Sequence, residues 1–260
     1  QREYLQVGGG LRQKDERFLE GRPRFPKRMK TAISNSILGL CMAACVAGLP
    51  SEGCAEMRFT DNSRGRPFAK DPSVVFFQDR YILYYSVPPH PTRTNTVGQA
   101  LPAGWGIGVA TSQALETWTK NAEISPAADY EAQGLCAPGA VVLGGKVHLF
   151  YQTYGNGPRD AICHAVSSDG LNFERNASNP VFRPSGSWTS GRAIDAEAFP
   201  FGDHLRLYFA TRDPSGKIQK LGVASAPLAS DFSRQQWRQE CIGSVLAPEL
   251  YWEKNCIEAP

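Results

Sequence analysis

Three stretches of the chain share one pattern of apolar and polar positions. Each begins with a small or acidic residue, runs through mostly apolar residues to a tight polar turn, and ends in an apolar run that closes with two aromatic residues. The stretches are 71–85, 137–151 and 195–209, and they align without a gap. Two apolar runs joined by a short polar turn predict a β-hairpin. The same hairpin returning about every 60 residues predicts a repeated sheet module.

The rest of each repeat predicts further strands. A third apolar run follows each hairpin, at Ile107–Ser112, His164–Ser168 and Leu221–Ala226, and an aromatic segment follows two of these runs, at Glu116-Thr-Trp118 and Leu171-Asn-Phe173. The hairpin turns are predicted at Gln78-Asp79, Gly144-Gly145 and Gly202-Asp203. No stretch after residue 60 has a sustained helical period. About four strands per repeat predict an all-β fold, the β-propeller.

The number of repeats bears on the extent of the domain. Cys256-Ile-Glu-Ala-Pro260 looks like the opening of a fourth copy, and the chain begins at Gln1 rather than Met. Because a propeller ring closes with four or more blades, we expect a fragment of about three blades plus the start of a fourth. The partial propeller domain is predicted over residues 56–260. The alternative is a complete, irregular sandwich of about 200 residues.

The first 55 residues are unlike the rest. Met29-Lys30 precedes an apolar stretch at 37–49 that is too short to span a bilayer, and Gly53-Cys-Ala55 supplies small residues. Residues 29–55 therefore predict a signal peptide and a secreted or periplasmic protein without a membrane span. An alternative is a lipoprotein anchored through Cys45; a buried N-terminal helix is a third interpretation. The basic residues 1–28 are expected to be a disordered leader or non-native upstream translation.

Export changes how cysteines and charges are interpreted. Four of the seven cysteines lie after the leader, at Cys136, Cys163, Cys241 and Cys256, without metal-ligand spacing. They are expected to be buried thiols or to form at most one disulfide. Residues 1–55 carry nine Lys/Arg and five Asp/Glu, so the remainder of the +3 chain has a net charge of about −1. This balance argues against a nucleic-acid partner.

Acidic side chains mark the starts of first strands. Asp71, Asp195 and Glu258 occupy such positions, where propeller blades approach one axis. Three converging carboxyl groups repel one another, so one is expected to hold a proton while the others stay ionised. Glycoside hydrolysis requires that asymmetry, with a protonated acid for the leaving oxygen and an ionised base for water.

The same residues resemble a known family. Lys70-Asp-Pro-Ser73, Ala193-Ile-Asp-Ala-Glu197 and Ile257-Glu-Ala-Pro260 are similar to the catalytic motifs of five-bladed propeller glycosidases, glycoside hydrolase family 43 first and family 117 next. The resemblance covers about residues 60–260. It implies an inverting reaction with Asp71 as general base, Asp195 as the residue that tunes and orients the acid, and Glu258 as general acid. Glu-Ala-Pro departs from the Glu-Gly-Pro of many family 43 members, which leaves the substrate subfamily open.

Each candidate also has a structural interpretation. Asp71-Pro72 is typical of a turn that satisfies backbone amides, and Glu197 shares a strand face with Asp195. Trp188 and Arg192 precede Asp195 and are predicted to bind substrate, as is Glu197. His164, aligned with apolar residues of the other repeats, is a further substrate-binding candidate, although a strand histidine is more often structural. The run Arg212-Asp-Pro214 is interpreted as a hairpin or loop corner.

The predicted function is an exported, bacterial-type glycosidase acting on oligosaccharides derived from plant or algal polysaccharide. Two alternatives remain open at this point: a non-catalytic carbohydrate-binding propeller, and a glycoside phosphorylase with phosphate-binding Arg, Lys or His around the pocket. No cofactor or catalytic metal is predicted, and a structural calcium ion in the channel is left open.

Overall fold

The computed structural model of the protein describes residues 59–92 and 94–260, and in this part the chain is almost entirely β-sheet. Helix is confined here to four 3-10 turns of three residues each, at Asp129–Glu131, Gly157–Arg159, Arg234–Gln236 and Tyr251–Glu253. The predicted leader 1–28, the signal peptide 29–55 and Cys45 lie outside the described residues.

Three antiparallel sheets of four strands each follow one another along the described chain, with strands in sequence order. The first sheet contains β1 (Lys70–Phe77), β2 (Arg80–Val87), β3 (Gly106–Ser112) and β4 (Thr119–Ile124). The second contains β5 (Leu135–Leu143), β6 (Lys146–Thr153), β7 (Ile162–Ser167) and β8 (Glu174–Arg175). The third contains β9 (Ile194–Phe201), β10 (His204–Arg212), β11 (Gln219–Pro227) and β12 (Arg238–Gln239). The predicted four-stranded repeat and all-β class are confirmed.

The hairpin turns lie where the sequence predicts them. Gln78 and Asp79 have φ of +50° and +59°, and Gly144 and Gly145 have φ of +55° and +71°. Two successive left-handed residues are the geometry that matches the twist of a two-residue hairpin. At the third turn Gly202 has φ +62°.

The two largest buried hydrophobic clusters lie between neighbouring sheets. One buried cluster joins the first and second sheets and includes Tyr84, Leu149 and Tyr151, all fully buried. A second cluster joins the second and third sheets through Phe150, Phe209 and their neighbours. Each sheet therefore stacks on the next, as blades do.

The innermost strands approach one another at backbone distance. β5 lies between β1 and β9. A β-carbon added to Gly139 on β5 would lie 2.0 Å from the carbonyl oxygen of Ala196 on β9. On the other side of β5, the Ala140 amide donates to the Ser73 hydroxyl of β1 at 3.0 Å. The first strands are thus packed side by side toward one axis.

A buried histidine pair fastens the outer part of the second sheet. His148 Nδ1 lies 3.0 Å from His164 Nε2, and the Asn176 amide nitrogen lies 3.2 Å from His164 Nδ1. Since an amide nitrogen donates, this places the proton of neutral His164 on Nε2, facing His148. Both rings pack against Phe232. Burial, with the neighbouring His148, lowers the pKa of His164 to about 3.

Several large apolar side chains remain exposed on the outer sheets. Phe76 on β1 is 57% exposed and Phe201 on β9 is 65% exposed, while Tyr251 and Trp252 are exposed near residue 260. Cys136, Cys163, Cys241 and Cys256 are all free thiols, the first two buried. Within the described part, no helix is long and apolar enough to cross a membrane.

Gly139→Ala tests the close packing of the first strands. We expect the variant to lower the free energy of unfolding by about 1–3 kcal/mol, because the methyl group must displace the β9 backbone. Urea denaturation checks this against Gly243→Ala, whose added β-carbon meets nothing within 4 Å. Equal stability of the two variants would contradict the packing described.

The lowered pKa of His164 predicts that the folded protein loses stability in acid. His164 has a folded pKa of about 3, below its usual value of 6.5, so the unfolded chain binds the proton first and stability falls as the pH drops from 6.5 toward 3. We expect the unfolding midpoint of His164→Gln to fall less between pH 7.5 and 5 than that of the unmodified protein. The more exposed His204, replaced in His204→Gln, serves as control. Parallel pH curves for all three proteins would refute the expectation.

Candidate active site

The first strand of each sheet begins with a non-glycine residue in the left-handed region. The φ angles are +52° at Asp71, +48° at Ala137 and +51° at Asp195. In all three sheets the pairing with the second strand is interrupted at this point. Such backbone costs of order 1 kcal/mol or more and persists only where the surroundings impose it. A left-handed residue interrupts the alternation of side chains along its strand and changes the direction in which its own side chain points.

Buried polar side chains of the preceding sheet impose this conformation. The Ser86 hydroxyl near the end of β2 accepts a hydrogen bond from the Ala137 backbone amide at 2.8 Å. The Gln152 side-chain oxygen, at the equivalent place on β6, accepts the Asp195 amide at 2.7 Å. Ser86 and Gln152 are 0% and 3% exposed, so each bond is shielded from water. One sheet thereby positions the acidic or small residue that opens the next.

A cavity of about 260 Å³ lies where these strand starts meet. Its walls come from all three first strands and from the end of the described chain: Asp71, Pro72, Ala137, Pro138, Asp195, Ala196, Glu197, Ala259 and Pro260. We call it the carboxylate pocket. The predicted convergence of Asp71 and Asp195 is therefore present in the structure.

Hydrogen bonds orient the carboxyl groups. Ser86 donates its hydroxyl to Asp71 Oδ2 at 2.8 Å, and Lys70 Nζ lies 3.4 Å from Asp71 Oδ1. Glu258 Oε2 accepts a hydrogen bond from the side-chain amide of Gln219 on β11. Asp71 and Glu258 are thus each held by a buried polar side chain.

Asp195 retains a proton more strongly than an ordinary aspartate. Its burial, followed by the negative charges of Glu258 and Asp71, raises the pKa of Asp195 to about 6. The positive charges of Lys70 and Arg192 oppose the shift. The raised pKa therefore belongs to Asp195, which is expected from the sequence to tune and orient the acid.

Glu197 also faces the carboxylate pocket. It follows Asp195 by two residues on β9 and lines the same cavity. Partial burial raises the pKa of Glu197 as well. Asp195 and Glu197 thus both line the cavity, although the left-handed Asp195 interrupts the strand alternation between them.

Glu258 is offset by one residue from the other two acidic residues. The left-handed residue of the last segment is Ala259, with φ +54°, so Ala259 rather than Glu258 corresponds to Asp71 and Asp195. The sequence alignment placed all three acids in one position. The side-chain amide of Gln219 holds the Glu258 carboxyl group by a hydrogen bond. From this position the charge of Glu258 raises the pKa of Asp195.

Two of the predicted substrate-binding residues lie away from the pocket, and those predictions are corrected. His164 is 2% exposed and is enclosed by His148, Phe150 and Phe232. Trp188 is half-buried and packs on Phe209 against the core between the second and third sheets. Neither side chain lines the carboxylate pocket.

Arg192 lies beside the pocket. Its guanidinium is 3.3 Å from Asp160 Oδ2, and its charge acts on Asp195. Arg212-Asp-Pro214 forms the predicted loop corner: Asp213 Oδ1 accepts the amides of Lys217 and Ile218 at 2.8 Å each. These backbone bonds and a Ser215 hydroxyl bond lower the pKa of Asp213 to about 2.

Sequence reasoning missed the supporting residues Ser86, Gln152 and Gln219. A signal was available for the first two, since each directly follows the aromatic pair that closes its hairpin and is polar within an otherwise apolar run. Gln219 has no such signal, because its partners come from residues about 40 positions later.

In residues 59–92 and 94–260 no group of three or more His, Cys, Asp or Glu side chains has an arrangement suited to a metal ion.

Comparison with known protein families gives one match. The profile of the "Glycosyl hydrolases family 32 N-terminal domain" matches residues 66–216, which include all three sheets up to the end of β10. No sequence among the curated proteins matches the chain.

Solved structures share the fold. A family 117 glycoside hydrolase of Zobellia galactanivorans aligns at TM-score 0.55 and 17% identity over 73% of this chain. A family 32 β-fructofuranosidase of Bombyx mori aligns at TM-score 0.51 and 20% identity over 66%. A thermostable family 43 glycoside hydrolase aligns at TM-score 0.51 and 20% identity over 75%. The predicted propeller fold and the resemblance to family 43 and 117 glycosidases are confirmed.

The chain spans only part of these proteins. The aligned part covers 60% of the family 117 protein, 34% of the Bombyx mori enzyme and 58% of the family 43 protein.

The raised pKa of Asp195 gives a stability prediction. Below the unfolded value of 3.8 the group is protonated in both states, whereas above about 6 the folded protein must bury a charge. We therefore expect Asp195→Asn to raise the free energy of unfolding at pH 7.5 by on the order of 2 kcal/mol. The gain should disappear by pH 4.

Urea denaturation at pH 4, 5.5 and 7.5 measures this difference. Asp79→Asn, in the exposed first hairpin turn, is the matched control and should show no such pH trend. An Asp195→Asn variant that is less stable than the unmodified protein at pH 7.5 would contradict this expectation. It would mean that the surroundings of Asp195 stabilise its ionised form.

Proposed function

Because the chain belongs to the family of glycosyl hydrolase family 32 N-terminal domains, we propose that it is the catalytic propeller of a glycoside hydrolase that cleaves oligosaccharides derived from plant or algal polysaccharide. The observation that carries the proposal is the carboxylate pocket. Asp71 and Asp195 line it, and Asp195 has a pKa of about 6 because it is buried beside the charges of Glu258 and Asp71. A glycosidase needs both an ionised carboxylate and a proton-donating carboxyl group at the scissile bond.

Asp71 is proposed as the general base. Ser86 donates to one of its oxygens, and the ammonium group of Lys70 lies beside the other. Both contacts favour the carboxylate form. Asp71 would remove a proton from water while the water oxygen attacks the anomeric carbon.

Glu258 is proposed as the general acid. It would transfer its proton to the leaving glycosidic oxygen as the bond from that oxygen to the anomeric carbon breaks. Gln219 fixes the orientation of the Glu258 carboxyl group through its side-chain amide. The products are a reducing sugar and an alcohol, and both carboxyl groups recover their protonation states by exchange with water.

Asp195 is proposed to tune and orient this acid. The coulombic repulsion between Asp195 and Glu258 is relieved when one of the two carboxyl groups is protonated. With water attacking opposite the leaving group, a single displacement inverts the anomeric centre.

Export is the proposed setting of the activity. The apolar stretch 37–49 and the small residues Gly53-Cys-Ala55 support a signal peptide. A secreted or periplasmic enzyme meets polysaccharide fragments outside the cytoplasm.

The roles are tested by Asp71→Asn and Glu258→Gln in the full-length protein, assayed on arabinose-, xylose- and galactose-based oligosaccharides with product anomers followed by NMR. We expect inverted product from the unmodified enzyme. Each variant should lower kcat by about 10²-fold or more, the usual contribution of a general acid or base. Asp79→Asn, which changes an exposed carboxylate, should keep normal turnover.

Other outcomes have defined meanings. Product of retained configuration would replace single displacement by a covalent glycosyl intermediate. Binding without cleavage, unchanged in both variants, would identify a carbohydrate-binding propeller. Turnover that requires inorganic phosphate would identify a phosphorylase.

A further inference from the structure

Two further cavities lie in the third-sheet region, and they differ in how their polar groups are used. The larger, about 460 Å³, lies beside Trp237, Arg234 and Gln239. Its polar side chains mainly contact loop carbonyls: Arg234 donates through Nε and Nη2 to the carbonyls of Pro180 and Ser178, and Trp237 donates to that of Phe232. That cavity is a structural groove between loops.

The second cavity, about 310 Å³, is lined by two arginines with unused donors. We call it the arginine cavity; its lining residues are Gly157, Pro158, Ser190, Arg192, Arg212, Pro214, Ser215 and Gly216. Arg192 directs Nε and Nη2 to Asp160, and Arg212 directs Nε to the Gln219 side-chain oxygen at 3.2 Å. Each guanidinium has five N–H donors, and among the described residues Arg192 Nη1 and both terminal nitrogens of Arg212 have no hydrogen-bond partner.

The cavity carries a net positive charge. Asp160, whose side chain is 2% exposed, neutralises Arg192. No ion pair joins Arg212 to an acidic residue within the described chain. The neighbouring Asp213 is engaged by backbone amides of its own loop.

Hydrogen bonds between the loops keep the arginine cavity open. Arg183 ties the two loops together by donating to the carbonyls of Gly191 and Pro158 at 3.1 and 2.9 Å. The Ser190 amide donates to the Arg212 carbonyl at 2.8 Å. Thr189 and Thr211 are joined by their hydroxyls at 2.6 Å, both buried. A site held this way binds without first ordering its walls.

The arginine cavity adjoins the carboxylate pocket through two connections. Arg192 precedes Asp195 by three residues, and its charge lowers the pKa of that carboxyl group against the effect of burial. Gln219 joins the two sites directly, since its side-chain oxygen accepts from Arg212 while its nitrogen donates to Glu258. A sugar in the carboxylate pocket would therefore lie next to this positive cavity.

We propose that the arginine cavity binds an anionic substituent of the sugar substrate, a carboxylate, sulfate ester or phosphate ester, and so selects acidic oligosaccharides. The inference rests on the proposed glycosidase function. Guanidinium groups suit these groups because their planar pairs of donors match two oxygens of an oxyanion.

The experiment compares kcat/KM of the full-length enzyme for matched oligosaccharides that are neutral, uronate-bearing, sulfated or phosphorylated. We expect at least one anionic form to be preferred over its neutral counterpart by about tenfold or more, as charge-assisted hydrogen bonds allow. In Arg212→Gln this ratio should fall toward one. The ratio of the two kcat/KM values is the readout. Removing the Arg212 contact to Gln219 can also disturb Glu258 and lower turnover, but that loss affects neutral and anionic substrates alike. Which anionic form is preferred identifies the source of the charge.

Arg206→Gln is the matched control, since Arg206 lies on the same strand, near Glu240 and outside the cavity. It should keep the preference of the unmodified enzyme. A binding measurement adds a readout free of catalysis: inorganic sulfate, titrated at constant ionic strength, should bind the unmodified protein and bind Arg212→Gln at least tenfold more weakly.

The outcomes separate the two proposals. Cleavage of neutral and anionic substrates at equal rates would overturn the anionic subsite and leave the glycosidase intact. An unchanged preference in Arg212→Gln would also overturn it. Absence of cleavage from every substrate would count against the proposed function, while Arg212-dependent sulfate binding would still support the site. A strict requirement for inorganic phosphate would assign the arginines to a co-substrate and overturn the substituent proposal.

Discussion

The start of each innermost strand is the constraint on which the rest of the structure depends. A residue there adopts left-handed backbone that a non-glycine side chain disfavours. In the second and third sheets, its amide is held by a buried polar side chain from the preceding sheet, Ser86 for Ala137 and Gln152 for Asp195. Stacking of the sheets and placement of the acidic groups are thereby one structural feature. Loss of the bond would release both the sheet contact and the direction of the side chain.

This arrangement explains the electrostatics of the carboxylate pocket. Close approach of the sheets, visible at Gly139 against Ala196, removes water from the strand starts. Burial then raises the proton affinity of Asp195 more than any single neighbouring charge does. A buried, repelling carboxyl set lowers the stability of the folded chain, and such costs are typical of sites that retain them for chemistry.

The two neighbouring sites divide the proposed tasks. Acidic groups at the strand starts would act on the glycosidic bond, while Arg192 and Arg212 on the adjoining loops would recognise charge on the substrate. Gln219 contacts both sets through one side chain. Loops carry specificity in many enzymes because they vary without disturbing the sheets that support catalysis. The solved relatives, similar in fold and only 17–20% identical, are consistent with one scaffold serving different substrates.

The sequence by itself determined the all-β class, the four-stranded repeat and the hairpin turns, because these follow from apolar periodicity and turn chemistry within about 15 residues. The meeting of Asp71 and Asp195 followed from the alignment of the repeats, which gives the two residues equivalent places. Tertiary structure decided the rest. His164 became a buried residue and Trp188 a half-buried one because both pack against neighbouring sheets, and the one-residue offset of Glu258 followed from the backbone at Ala259. The supporting bonds of Ser86, Gln152 and Gln219, and the joining of Arg192 with Arg212, connect segments 20 to 51 residues apart. Periodicity carries no information about such contacts, since burial and proximity arise only when the sheets pack together.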